Sequence, residues 1–359
     1  MAATSNRIPW WAWTWPLLAW VVLAGTALGA SGAITTALAA AILIATVFAA
    51  VYHAEVIAHR TGEPFGTLVL ALAVTIIEAA LIVSVMLTAP AQSAGLARDT
   101  VFAAVMIVCN GIVGLCLLLG GARHHEQGFQ VSGASAALAV LAALTTLTLI
   151  VPNVVVATPG PYFSTSQMIF AAIVSLVLYV GFIFVQTIRH RDYFLPADAG
   201  EEHAPPPPNA VALTSLALLI ASLVAIVVLA KFLTPAIESG LERASMPKAV
   251  VGIVIAALVL MPEGLSAVRA ARANRLQTSL NLALGSALAT IGLTIPAVTV
   301  VSLTIGQPLE LGLGAKDQVL LSLTLLLSVI TLGTGRTTVL QGIVHVVVFA
   351  AFLFFAIVP

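Results

Sequence analysis

Charge is scarce in this chain: of 359 residues only 8% are charged and 60% are hydrophobic, where an ordinary soluble domain carries about 25% charged residues. That shortage excludes a water-soluble fold, because so much apolar surface could not be covered. A surplus of either sign is also missing. Acidic and basic residues balance at 14 each, so no basic face is available for nucleic acid and no charged tail for an acidic substrate. Cysteine is nearly absent. Cys109 and Cys116 stand on one apolar run, about 10 Å apart along a helix, too far to pair with each other; packing is their expected role. No HExxH motif occurs, which argues against a zinc hydrolase of that type.

What the chain has in quantity is long uncharged runs. About 20 apolar residues suffice to cross a hydrocarbon core of about 30 Å as a helix. Reading runs between polar breaks predicts spans at 11–30, 33–52, 66–88, 98–121, 134–151, 166–187, 210–231, 247–268, 277–303, 315–333 and 338–357. The expected fold class is an all-α membrane protein of about eleven transmembrane helices, with membrane lipid as its solvent; nothing in length or composition specifies an oligomer. Trp10, Trp11, Trp13 and Trp15 cluster at the entrance of the first run. They fit the aromatic belt of a retained helix better than a cleaved signal peptide, whose basic region would be Arg7 alone.

The segment from Arg189 to Asn209 contains Asp198, Glu201, Glu202 and the run Pro205 to Pro208. Consecutive prolines remove backbone donors and cannot continue a helix, so it reads as a cytosolic linker. The chain then divides into an N-terminal helix (1–30), a first five-helix half (31–188), the linker (189–209) and a second five-helix half (210–359). With the N-terminus inside, Arg7, Arg60, Arg123, Arg189, Arg191, Arg269, Arg272, Arg275 and Arg336 fall on the inner side, nine of the 14 basic residues. Arg98, Lys231, Arg243, Lys248 and Lys316 fall outside. The positive-inside bias thus favours a cytoplasmic N-terminus, in a bacterial inner membrane. Five helices on each side of the linker make the second half enter from the opposite face. Two such halves form an inverted repeat, the architecture in which secondary transporters place their ion site near the midplane.

Each half carries one acid deep in an apolar run. Within the stretch Leu68 to Leu87, Glu78 has ten uncharged residues before it and nine after, and Glu263 follows an uncharged run from Ala249 to Pro262. An ionisable residue near the bilayer centre costs at least about 2.5–3.5 kcal/mol to insert, so it normally marks an ion or proton pathway. On the next run of each half stands one small polar residue: Asn110, with Gly120 ten residues on, and Ser286, with Pro296 ten residues on. Thr75 lies one turn before Glu78 on its face. Pro262 deprives the Leu258 carbonyl of its amide partner, and freed carbonyls beside a carboxylate make an oxygen-lined cation site. Glu78, Glu263, Asn110, Ser286 and Thr75 are therefore the candidate ligands for a transported cation, the two acids also carrying protons. Such hard oxygens suit calcium, sodium or protons rather than zinc or copper. A carboxylate that binds either a proton or a cation, but not both, supplies the mutual exclusion that coupled exchange needs. No cofactor is implied beyond the transported ions.

Weaker expectations attach to other residues. Glu63, before Pro64, reads as a helix-dipole partner; Arg269, Arg272 and Arg275 read as orientation signals. His53, His59, His124 and His125 are expected in solvated inside loops, and His345 as a satisfied core residue.

The segments Gly62-Glu-Pro-Phe-Gly66, Ala73-Val-Thr-Ile-Ile-Glu78, the run from Arg98 to Gly114 and Gly120-Gly-Ala-Arg-His-His-Glu126 resemble calcium/proton antiporters of the ChaA type. Met261-Pro-Glu-Gly-Leu-Ser-Ala267 and Gly285-Ser-Ala-Leu-Ala-Thr-Ile-Gly292 resemble that family's second repeat. The resemblance implies the calcium/cation antiporter fold of two inverted five-helix repeats. It implies Glu78 and Glu263 as paired ion-binding acids with Asn110 and Ser286 as neighbouring ligands, and export of cytoplasmic calcium, or in some members sodium or potassium, against protons. Many members place Gly-Asn a few residues before each acid, where this chain has Val74-Thr75 and Val259-Leu260. Fewer amide oxygens keep a sodium or potassium/proton antiporter as the alternative, ahead of an intramembrane enzyme or a passive channel.

Overall fold

The computed structural model describes residues 8–61, 65–88, 94–195, 206–243, 247 and 249–358. Arg7, Glu63 with its neighbours Gly62 and Pro64, Lys248, and the linker residues Asp198, Glu201, Glu202 and Pro205 lie outside them.

The described residues form eleven helical spans: α1 Trp10–Ala27, α2 Ala33–Thr61, α3 Phe65–Thr88, α4 Leu96–His124, α5 Val131–Asn153, α6 Thr165–Arg189, α7 Asn209–Arg243, α8 Ala249–Arg272, α9 Leu276–Ile305, α10 Ala315–Leu332 and α11 Val339–Ile357. All but α1 and α3 contain, among the described residues, a segment long and apolar enough to cross a membrane. The apolar faces that remain exposed, such as Phe170, Val177 and Phe184 on α6, are what a hydrocarbon solvent permits. The protein is an all-α integral membrane protein. Extended pairing among these residues is confined to a two-residue antiparallel ladder, β1 Gln127–Gly128 with β2 Arg336–Thr337 in register Gln127 to Thr337, and a single antiparallel bridge between Tyr162 and Glu310.

Local chemistry explains several helix starts. Ser164 caps α6 reciprocally with Gln167, and Thr338 caps α11 with Gln341, so orphan N–H groups at both entrances are satisfied. Pro16, Pro235, Pro262 and Pro296 lie inside helices, which membrane helices tolerate where neighbouring groups satisfy the freed carbonyls.

The helices gather into two compact units, each drawing on both halves of the chain: Met1–Val85 with Gly200–Ser245, and Met86–Ala199 with Met246–Pro359. In the first unit α2 packs against α1 and α7. The expected end of α2 near residue 52 is corrected here: the helix continues to Thr61, because His53 is fully buried against α1 rather than solvated in a loop. Its Nε2 lies 3.0 Å from the Ala12 carbonyl oxygen, and the neighbouring Tyr52 meets Trp11 edge to face at 5.1 Å. His59 and Arg60 also lie within α2, and Arg60 donates to Asn209 at the start of α7. Trp20 donates from its indole N–H to the Ala221 carbonyl at 3.2 Å, joining α1 to α7. His53, Arg60 and Trp20 thus find partners across helix seams, as a medium without water demands.

In the second unit α4 is the central element, buried along most of its length and packed against α8, α9 and α11. Its seam with α11 is unusually close. A Cβ on Gly342 would lie 2.3 Å from the Leu118 backbone nitrogen, and one on Gly114 would lie 2.9 Å from the His345 Cβ. The start of α4 is anchored by Arg98, which pairs with Asp99 at 2.8 Å, donates to Glu310 and to the Gly312 carbonyl at 3.2 Å, and so ties α4 to the loop after α9.

Candidate functional site

Both membrane acids sit on the buried stripe of an otherwise apolar helix. On α3, Val74, Thr75, Ile77, Glu78, Leu81, Ile82 and Val85 are buried while Leu72, Ile76 and Leu87 are exposed, the 3.6-residue period of a one-sided helix. Glu78 itself is 0% exposed. On α8, Ala256, Val259, Leu260, Glu263, Ala267 and Ala271 form the buried stripe, and Met261 and Leu265 face outward. Glu263 is 3% exposed. A carboxylate so placed must be neutralised, paired or hydrogen-bonded. Glu78 and Thr75 belong to the first unit, and Glu263, Asn110 and Ser286 to the second.

In the second unit the structure joins Ser286 of α9 to Glu263 of α8: the buried hydroxyl donates to Glu263 Oε2. A hydrogen bond to a charged acceptor is about twice as strong as a neutral one, so Ser286 steadies the ionised form. The same hydroxyl oxygen keeps a lone pair for a cation. Tyr179 of α6, also buried, stands within electrostatic reach of Glu263. It is held by tight packing, since a Cβ on Gly292 of α9 would lie 2.5 Å from the Tyr179 Cβ.

Asn110 occupies the middle of α4, where residues Ile107–Ile112 form a π-helical turn. Such bulges widen the helix by one residue per turn and recur at functional sites. This turn packs against α8, α9, α10 and α11, and Ile112 lies 3.1 Å from where a Cβ would stand on Gly264, the neighbour of Glu263. The Asn110 carboxamide donates from Nδ2 to Thr324 Oγ1 at 2.8 Å, and its Oδ1 lies 3.0 Å from His345 Nδ1. His345 Nε2 lies 3.1 Å from Thr331 Oγ1. Asn110, Thr324 and His345 are all 0% exposed.

The sequence led to Glu263, Ser286 and Asn110 by their polarity in apolar runs. It did not single out Thr324, Thr331 or Tyr179, whose types are common on membrane helices, nor the π turn, for which no residue pattern is diagnostic. His345 is the satisfied core histidine that was expected. Among the described residues no three His, Cys, Asp or Glu side chains converge on one point. A cation beside Glu263 would be completed by the neutral oxygens of Ser286 and its neighbours, a donor set of hard character. Cys109 and Cys116 are free and buried.

Among the described residues eleven helices make an integral membrane protein, two of them with an acid on the buried face, and its family match makes it a transporter of inorganic cations rather than an enzyme. The sodium/calcium exchanger protein family matches residues 31–188 and 214–358, and the chain belongs to that family, as a ChaA-type antiporter. It is 48% identical to the protein y4hA of Sinorhizobium fredii over 99% of this chain and 98% of that one. To the sodium-potassium/proton antiporter ChaA of Escherichia coli it is 37% identical over 87% of this chain and 85% of that one. Among solved structures, the H+/Ca2+ exchanger CAX superposes with a TM-score of 0.74 at 15% identity, covering 96% of this chain and 86% of that one. That likeness shows the shared fold.

Proposed function

We propose that the protein exports cytoplasmic calcium in exchange for protons by alternating access, with Glu78 and Glu263 as the acids that carry cation and proton in turn. Asn110, Ser286 and Thr75 supply neutral oxygens. The observation that carries this reading is the burial of both carboxylates, 0% and 3% exposed, on membrane helices, where an acid without a transport role is costly to keep. Each acid binds a proton or shares its oxygens with a cation, and the exclusion of one by the other couples the two flows. We further propose two five-helix halves, 31–188 and 210–359, related by inversion and joined by a cytosolic linker. The family match in two stretches, 31–188 and 214–358, supports that division. The N-terminus is cytoplasmic in this reading, and the membrane is the bacterial inner membrane.

Sodium or potassium in place of calcium is the second reading. It is favoured by the relative at 37% identity that is named a sodium-potassium/proton antiporter, and by the Val74-Thr75 and Val259-Leu260 pairs, which lack a side-chain amide oxygen. Proton flux from acid-loaded everted vesicles separates the readings when calcium, sodium and potassium are added one at a time. Glu78→Gln and Glu263→Gln are each expected to abolish coupled flux while the protein still inserts. Wild-type flux in both variants refutes the assignment of these acids, and flux with sodium or potassium but not calcium selects the second reading.

A further inference from the structure

We propose that His345 is a positioning residue for cation binding: it fixes the Asn110 carboxamide so that its oxygen, not its NH2 group, is presented to the ion. This rests on the reading of Asn110 as an ion ligand. The directions of the side-chain hydrogen bonds around Asn110 follow from the Leu320 carbonyl, which can only accept, as can the Cys109 carbonyl that also meets the His345 ring. Thr324 Oγ1 lies 2.7 Å from it and donates to it, with Met106 Sδ as a weaker neighbour at 3.3 Å. Having given its proton, Thr324 accepts, so the Asn110 atom facing it at 2.8 Å is Nδ2. The Asn110 oxygen therefore faces His345 Nδ1 at 3.0 Å, and that nitrogen bears the proton. In the neutral ring Nε2 then accepts from the Thr331 hydroxyl at 3.1 Å. The tautomer is thus assigned by the network.

A carboxamide oxygen has two acceptor directions. His345 takes one, leaving the other free, while Thr324 holds the opposite end of the amide. Pinned from α10 and α11 at once, the group cannot rotate to turn its NH2 toward a cation. The π turn gives the geometry its purpose. It lets the Asn110 side chain leave α4 in a direction set by these partners, while the same turn packs against the helices of Glu263 and Ser286.

The side chains of asparagine and glutamine place an amide nitrogen near the positions of Nδ1 and Nε2 respectively, which makes the idea testable in purified protein reconstituted into proteoliposomes. The apparent KM for calcium, sodium or potassium, whichever drives proton flux, is measured for wild type, His345→Ala, His345→Asn, His345→Gln and Asn110→Ala. His345→Ala is expected to raise KM about tenfold, the effect of one lost hydrogen bond. His345→Asn should restore it to within a few fold by donating again to Asn110. His345→Gln, which reaches Thr331 instead, should not. A side chain that merely fills space predicts glutamine at least as good as asparagine, and that result overturns the proposal, as does wild-type KM in all three variants. If Asn110→Ala raises KM while the His345 variants do not, positioning fails and the ligand reading stands. If Asn110→Ala leaves KM unchanged, both fail.

Discussion

Gly342→Ala tests how far function depends on the closeness of the α4–α11 seam. In a helix interior alanine is favoured over glycine by about 1 kcal/mol, so the substitution stabilises wherever there is room. At Gly181 of α6 nothing lies within 4 Å of an added Cβ, and Gly181→Ala is expected to stabilise by roughly that amount. At Gly342 the added Cβ would stand 2.3 Å from the Leu118 nitrogen and 2.6 Å from the Leu118 Cα. Ordinary contact begins at 3.4 Å, leaving a shortfall of about 1.1 Å. Both obstructing atoms are backbone of α4, so no side-chain rotation relieves the clash and the helices must part. Overpacking of this kind costs about 1–3 kcal/mol, enough to cancel the propensity gain. Gly342 lies three residues before His345 on the same face, so the separation stretches the 3.0 Å His345–Asn110 contact toward 4 Å, beyond hydrogen-bond range. Thermal unfolding in detergent, with cation KM measured in proteoliposomes, reads both effects. The expected outcome is a lowered melting temperature and a raised KM for Gly342→Ala, with Gly181→Ala equal to or better than wild type. A Gly342→Ala protein as stable and as tightly binding as wild type would refute both the close seam and its coupling to Asn110.

Ser286→Ala removes the hydroxyl that donates to Glu263 Oε2. A bond to a charged group contributes about 1.5–3 kcal/mol, so cation KM is expected to rise roughly 10- to 100-fold, with Ser286→Thr close to wild type; an unchanged KM in the alanine variant counts against Ser286 as a partner of the acid. Arg98→Ala leaves Asp99, Glu310 and the Gly312 carbonyl without their shared donor. With side chains only 18–27% exposed, the loss is expected to cost about 1–3 kcal/mol. It should appear as a lower melting temperature with cation KM little changed; equal melting temperatures would show the cluster to be energetically idle.

The helices were legible because a hydrocarbon solvent imposes its demand on every turn. Eleven apolar runs gave eleven spans, with ends misplaced where a polar residue was buried rather than exposed. His53 illustrates the cause. Histidine at the edge of an apolar run reads as the start of a loop, yet its partner is the Ala12 carbonyl, 41 residues earlier. No local pattern records that pairing, so α2 reads too short. The β1–β2 ladder is invisible for the same reason: two residues carry no periodicity, and their partners lie on distant loops.

The candidate site shows the same division more sharply. An acid in a membrane helix is conspicuous from sequence because its cost is intrinsic, whatever surrounds it. The groups that offset such costs are individually cheap. Thr324, Thr331 and His345 are each tolerable on a membrane helix, and what makes them a network is separation in sequence closed by the fold: Thr324 meets Asn110 across 214 residues and His345 meets it across 235. Pairing of this kind is set by the approach of α4 to α11, which depends on Gly114 and Gly342 lacking a Cβ, and a glycine in a membrane helix announces only that something comes close. The reading of a membrane transporter from sequence therefore finds the charged ligands first and their neutral supports last. It follows that substitutions at the supports should change how tightly an ion is held before they change whether exchange occurs at all, since the supports orient oxygens while the acids carry the charge that is exchanged.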